Sequence, residues 1–277
     1  HWVTIGSAST SATTVSLTNL SKYDNSVSGN NDIFFDVDNT TGNYNHCATT
    51  LCSDSSIYVL AGNTFQPATS STKIISTFDF RLAGTFALNA NTLKVGASWR
   101  NLGGFAPGTG SVVFNATTSA RTIDSTGAAT STFGNVTFGE AATGATWTFA
   151  TPFVATGTVA MNYGTTTPGS QMMTLQGDLS IGVSGTFLKG SATTTFSGSG
   201  SNTWTDLSAA KQDLGNITIN GSTKTITLGS SVKATHVHIA SGNWLNAGGS
   251  HTFNVLGSWD NYGVFVPQSS TVNFATT

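Results

Sequence analysis

From Ile57 to the end of the chain, apolar residues fall in short runs that alternate with polar ones and are bounded by Gly, Asn or Ser. Ile57-Tyr-Val-Leu60, Lys73-Ile-Ile-Ser-Thr-Phe78 and Thr92-Leu-Lys-Val95 come first. Alternation of this kind over so few residues predicts half-buried β-strands rather than helices. The later runs repeat. Ser111-Val-Val-Phe114 matches Thr193-Thr-Thr-Phe196 and Thr271-Val-Asn-Phe274, and Phe133-Gly-Asn-Val-Thr-Phe138 matches Leu214-Gly-Asn-Ile-Thr-Ile219. Trp147–Phe149 then matches Ile226–Leu228, and Phe153–Val159 matches Val232–His238.

Three phenylalanine pairs mark the copies: Phe105 and Phe114, Phe187 and Phe196, Phe265 and Phe274. Successive pairs lie 82 and 78 residues apart, and Leu93–Thr117 aligns without a gap on Phe253–Thr277 at an offset of 160. Four strand segments per period give a deeper spacing of about 20 residues, the length of one coil in a β-solenoid. The fold class is therefore all-β, a right-handed parallel β-helix (β-solenoid). Tandem β-sandwich domains are the alternative, because a period near 80 residues also accommodates about seven short strands. Turn-like length differences between copies, and no Pro-rich or charged linker, favour the solenoid. In such a stack the six phenylalanines, and Trp99 and Trp259 at equivalent positions, are expected inside.

Residues 1–56 read differently and form an N-terminal cap or docking segment, with residues 57–277 the solenoid of three degenerate repeats. The segment holds both cysteines, Cys47 and Cys52, which are disulfide candidates if their Cβ atoms face each other. Ile33–Val37 and the opening HWVTIG read as strands, with a turn at Asn39–Gly42.

Composition narrows the function classes. Charged residues make up 8% of the chain, and 82 Ser and Thr stand in their place, which suits pleated surfaces and not helix exteriors. A net charge of −2 with scattered basic residues gives no footprint for nucleic acid. No apolar run reaches the ~20 residues of a membrane span. The start at His1 and the stop just after Phe274 read as a piece of a longer secreted polypeptide.

Candidate chemistry is sparse. Asp79, Asp124, Glu140, Asp178, Asp206, Asp213 and Asp260 are scattered, so no carboxylate cluster for polysaccharide cleavage is expected, and the chain is read as non-enzymatic without cofactor or metal. His236 and His238 share one strand face, where a metal would need a third ligand, and solvent-facing positions are the plainer reading. Asp36, Asp38 and Asn39 before Gly42 miss the register of a calcium loop. Thr165–Thr167 and Thr193–Thr195 lack the regularity of a flat Thr array, and the sequons at Asn115 and Asn220 matter only in a glycosylating host.

The string SWRNLGGFAPGTGSVVFNATT followed by FGNVTF resembles the W-x-N-x-G-x-F…G-x-V-x-F repeats of bacterial surface β-helix proteins, the filamentous-haemagglutinin and autotransporter-like group. The resemblance covers residues 57–277. The middle copy departs from it, with Ile181 near the Trp position and GVSGTF in place of the Asn-containing turn. It implies secretion and an architectural or adhesive role, and carries over no catalytic residue. The expectation is an extracellular structural protein, a section of a self-assembling cell-surface filament, sheath or stalk; an adhesin or glycan-binding passenger is the alternative. Assembly would be a homopolymer through the chain ends, using Trp2, Val3, Ile5, Ile33, Phe34 and Phe35 against Thr271, Val272 and Phe274.

Overall fold

Stacked parallel strands, each three to nine residues long from Thr85 onward with one shorter exception, build the molecule. The computed structural model describes residues 13–17, 37–38, 43–45, 56–59, 63–67, 74–77 and 79–275, apart from 119, 127–130 and 141–143. Among them there is no helix, and the strands form a parallel β-solenoid of about nine turns. Every strand pair is parallel except Val37–Asp38 with Asn43–Asn45. The parallel pairing of all the other described strands overturns the tandem-sandwich alternative, which requires antiparallel sheets.

The strands form where alternation places an apolar side chain inward at every second position. Leu93, Val112, Val136, Val159, Leu179 and Trp204 stack in one inward column. Val95, Phe114, Phe138, Met161 and Ile181 form the column beside it. All of these side chains are buried, and Ile181 fills the core where the outer copies carry Trp. Trp99, Trp147 and Trp204 lie inside as well. Trp244 does not: it continues the outward column of Thr225 and Val264, and is only half-buried.

Coil length is less regular than the 20-residue spacing implies. Phe114 stacks on Val95, 19 residues earlier, whereas Phe138 stacks on Phe114 after 24 and Phe149 on Ile123 after 26. The sequence repeat is also not a whole number of coils. The column that includes Ser111–Phe114 runs on to Val264–Val266, while its sequence equivalent Thr271–Phe274 pairs in a separate ladder with Thr252–Val255. Equivalent motifs thus return on different faces of the stack.

Corners explain the Asn and Gly of the motif. The Asn101 side chain accepts from Gly103 N–H at 2.9 Å, and Asn246 and Asn261 do the same to Gly248 and Gly263. An Asx turn of this type bends the chain without a helix. At Gly103 a Cβ would lie 2.0 Å from the Gly84 carbonyl of the coil below, so only glycine permits the stack. Asn101 also donates to Ser131 Oγ at 2.7 Å, which accepts a second bond from Trp99 Nε1 and shares its own hydroxyl contact with Ser125 Oγ at 2.8 Å. The W-x-N pair therefore places one ring in the core and satisfies a buried polar corner beside it.

The phenylalanine pairs divide by position. Phe114, Phe187 and Phe196 are buried, Phe105 and Phe265 are half-buried, and Phe274 is 62% exposed. The expectation of uniform burial fails at Phe274. It lies in the last described strand, which pairs on one side with Thr252–Val255, and among the described residues no coil covers its other side.

Candidate functional site

The most unusual surface is that last coil, Thr252–Ala275. Trp259, Phe265 and Phe274 form a three-ring cluster: Trp259 lies 4.9 Å from Phe265 and 6.2 Å from Phe274, edge-on to both. The repeat equivalents Trp99, Phe105 and Phe114 keep the same spacing, 4.9 Å and 6.2 Å, with the same edge-on tilt. There a fourth ring closes the cluster. Phe133, from the following coil, sits 5.1 Å from Trp99, 5.7 Å from Phe105 and 6.0 Å from Phe114, and is itself buried. The last coil has the same socket, and among the described residues no ring takes the place of Phe133 there. Tyr262 (71% exposed), Val264 and Val266 extend the apolar surface around it.

Of the assembly residues expected from sequence, the structure places Thr271, Val272 and Phe274 together on this edge, with Val272 half-buried and packed on the core. Trp2, Val3, Ile5, Ile33, Phe34 and Phe35 lie outside the described residues, as do Cys47, Cys52, Asp36, Asn39 and Gly42, and the side chain of Asp38.

His236 and His238 do share one outward face, but they have different partners. His236 Nδ1 accepts from Ser258 N–H at 2.9 Å, whereas the His238 ring lies 5.5 Å from Tyr262. Among the described residues no three His, Cys, Asp or Glu side chains group as a metal site would require. Sequence counting also missed a cross-coil ion cluster. Lys189 pairs with Asp213 and donates to Thr235 Oγ1, and Thr235 in turn donates to Asp213 at 2.9 Å. Partial burial pulls the Asp213 carboxyl upward. Hydrogen bonds from Lys189, Gly215 N–H and Thr235, with the Lys189 charge, outweigh it and hold the group below its ordinary value. Lys94 and Glu140 form a second, more exposed pair at 2.5 Å.

Two charged side chains sit inside the stack. Asp206, stacked on Ile181, is fully buried, and its carboxylate accepts from Ser208 N–H, Ser208 Oγ and Gln212 N–H, pinning the loop that follows. Lys224 is equally buried, and its Nζ donates to Gln176 O at 2.6 Å and to Asn202 Oδ1. Both were readable in principle, since they hold the inward parity of Trp204 and of Ile226.

Comparison with known proteins brings no matching family model, no matching curated protein and no matching solved structure. No helix of the described residues is long and apolar enough to cross a membrane.

Proposed function

We propose that this chain is a non-enzymatic structural section of an extracellular filament, sheath or stalk, and that the last coil is an assembly surface covered by a second copy. The observation that carries the reading is the ring socket. Trp259, Phe265 and Phe274 repeat the geometry of Trp99, Phe105 and Phe114, and the latter cluster is closed by an aromatic ring from a coil stacked in parallel upon it. The covering element is thus a coil-forming segment with an aromatic residue at the Phe133 position. Residues 1–56 of a neighbouring copy are the segment proposed, with Trp2, Phe34 and Phe35 as the candidate rings. Parallel strand addition to the Thr271–Phe274 edge, which has no charged side chain to discourage it, would complete the contact. The likeness to bacterial surface β-helix proteins points the same way.

Magnitudes set a condition on this reading. Covering a large apolar side chain is worth about 1.5–3 kcal/mol, and association costs about 4–15 kcal/mol in lost freedom. Covering Phe274, Val264, Val266 and Tyr262 gives a gain of the same order as that cost, so the edge hydrogen bonds and the neighbour's own apolar residues decide whether the contact is stable. Electron microscopy of the chain with and without residues 1–35 tests the assignment. Fibres from the intact chain, and monomers that remain folded after the deletion, are expected. Fibres of unchanged length after the deletion would contradict it. A chain that is monomeric throughout and binds a glycan array would favour the adhesin instead.

A further inference from the structure

Lys224 presents a physical anomaly. It is fully buried at the inward parity of Ile226 and Leu228, yet among the described residues no carboxylate comes within ion-pairing distance of its ammonium. Its register partner one coil below is Gly200, which has no side chain to obstruct it, and Nζ reaches the Gln176 carbonyl a further coil down, at 2.6 Å. Its other partner is the carboxamide oxygen of Asn202. The nitrogen of that carboxamide donates to Asp178 Oδ1 at 3.0 Å, and Thr203 N–H holds the same oxygen at 2.9 Å. An amine, a carboxamide and a carboxyl group therefore stand in series across three coils.

We propose that this cluster is a self-modification site in which Lys224 and Asn202 condense to an isopeptide bond, with Asp178 carrying the protons. The step balances without oxidant, reductant or cofactor. The Lys224 ammonium passes a proton along the Asn202 carboxamide, Nζ–H to Oδ1 and Nδ2–H to Asp178 Oδ1, which leaves a neutral amine, the imidic-acid form of Asn202 and a protonated Asp178. The Nζ lone pair attacks Asn202 Cγ. Asp178 protonates Nδ2, which it already faces, and takes a proton from Nζ. The Cγ–Nδ2 bond then breaks, ammonia leaves with the last proton as ammonium, and the Cγ–Nζ amide remains beside a restored carboxylate.

Two features of the environment favour that direction. Burial pushes the Lys224 amine below its ordinary pKa, against the opposing charge of Asp178, so the nucleophilic form is more accessible than in water. Condensation also replaces a buried, unpaired charge by a neutral amide, and releases the charge as ammonium. Asn202 and Asp178 are only half-buried, which gives the leaving group a way out. The product would tie the Gly200–Asp206 strand to the Lys224–Leu228 strand covalently, and the solenoid could no longer open coil by coil at that point.

Mass spectrometry of the folded chain decides the matter. The expected intact mass is lower than that of the sequence by one ammonia. Trypsin should fail to cut after Lys224 and should yield a branched peptide joining residues 190–211 to residues 212–233. Lys224→Met and Asp178→Ala should restore the full mass, with circular dichroism confirming that each variant is folded. A wild-type chain of full mass that is cut normally after Lys224 would overturn the proposal, whatever the variants do. Loss of ammonia without the branched peptide, as from a succinimide at Asn202, would overturn it equally.

Discussion

Phe114 and Phe274 carry the same ring in the same motif, and they differ in what covers them. Phe114 is sealed by Phe133 and Phe138, so Phe114→Ala removes a fully packed ring and should cost about 3–5 kcal/mol, read as a lower urea midpoint at unchanged slope. Phe274→Ala should cost the monomer less than about 1 kcal/mol, because its ring is largely in water already. Equal losses at the two positions would show that the last coil is covered in the monomer. Asp213 gives a second prediction at this scale. Its carboxyl titrates below the ordinary carboxylate value when folded, so it contributes stability above that value and loses it as pH falls through the folded one. Asp213→Asn should therefore flatten part of the acid side of a stability–pH profile; an unchanged acid limb would refute the role given to Lys189 and Thr235. The inward phenylalanines were legible from alternation alone. The buried Lys224 and Asp206 were not found, because a charged residue in a Thr-rich strand reads as solvent-facing unless its parity with Ile226 or Trp204 is taken literally.

At the scale of elements, Thr92–Val95, Ser111–Phe114, Thr193–Phe196 and Thr271–Phe274 match the sequence reading residue for residue. Longer runs split: Phe133–Phe138 becomes two strands around Gly134, and Val232–His238 breaks at Thr235. Corners were the weak point, since an Asx turn costs the pattern only two or three residues and resembles a gap within a strand. The edge position of Thr271–Phe274 has a dynamic consequence. Its amides Thr271 and Ala275 bond back to His251 and Val255, but no described coil holds it from the other side. Hydrogen exchange there should be faster than in Ser111–Phe114, which is paired on both sides, and should slow when the chain is concentrated. Exchange as slow as in Ser111–Phe114 at low concentration would contradict the open-edge description.

For the molecule as a whole, the repeats announced a stack and misjudged its pitch. From Ile74 onward, coils of 18 to 26 residues absorb their extra length in loops such as the one pinned by Asp206, which leave no mark on the period of the strands. The repeat motif therefore turns about the axis instead of building one continuous face. Among the described residues the last coil brings together Tyr262, Val264, Val266 and Phe274 as exposed apolar side chains, while Leu102, Met172, Val183, Leu188 and Leu207 are exposed elsewhere along the stack. Sedimentation velocity over a range of concentrations tests most directly the proposal that another copy of the chain covers the last coil. The wild-type chain should shift to larger species as concentration rises, and Phe274→Asp, which puts a charge into the ring socket, should sediment as a folded monomer throughout. A wild-type chain that stays monomeric at every concentration, or a Phe274→Asp variant that associates as well as the wild type, would contradict the account.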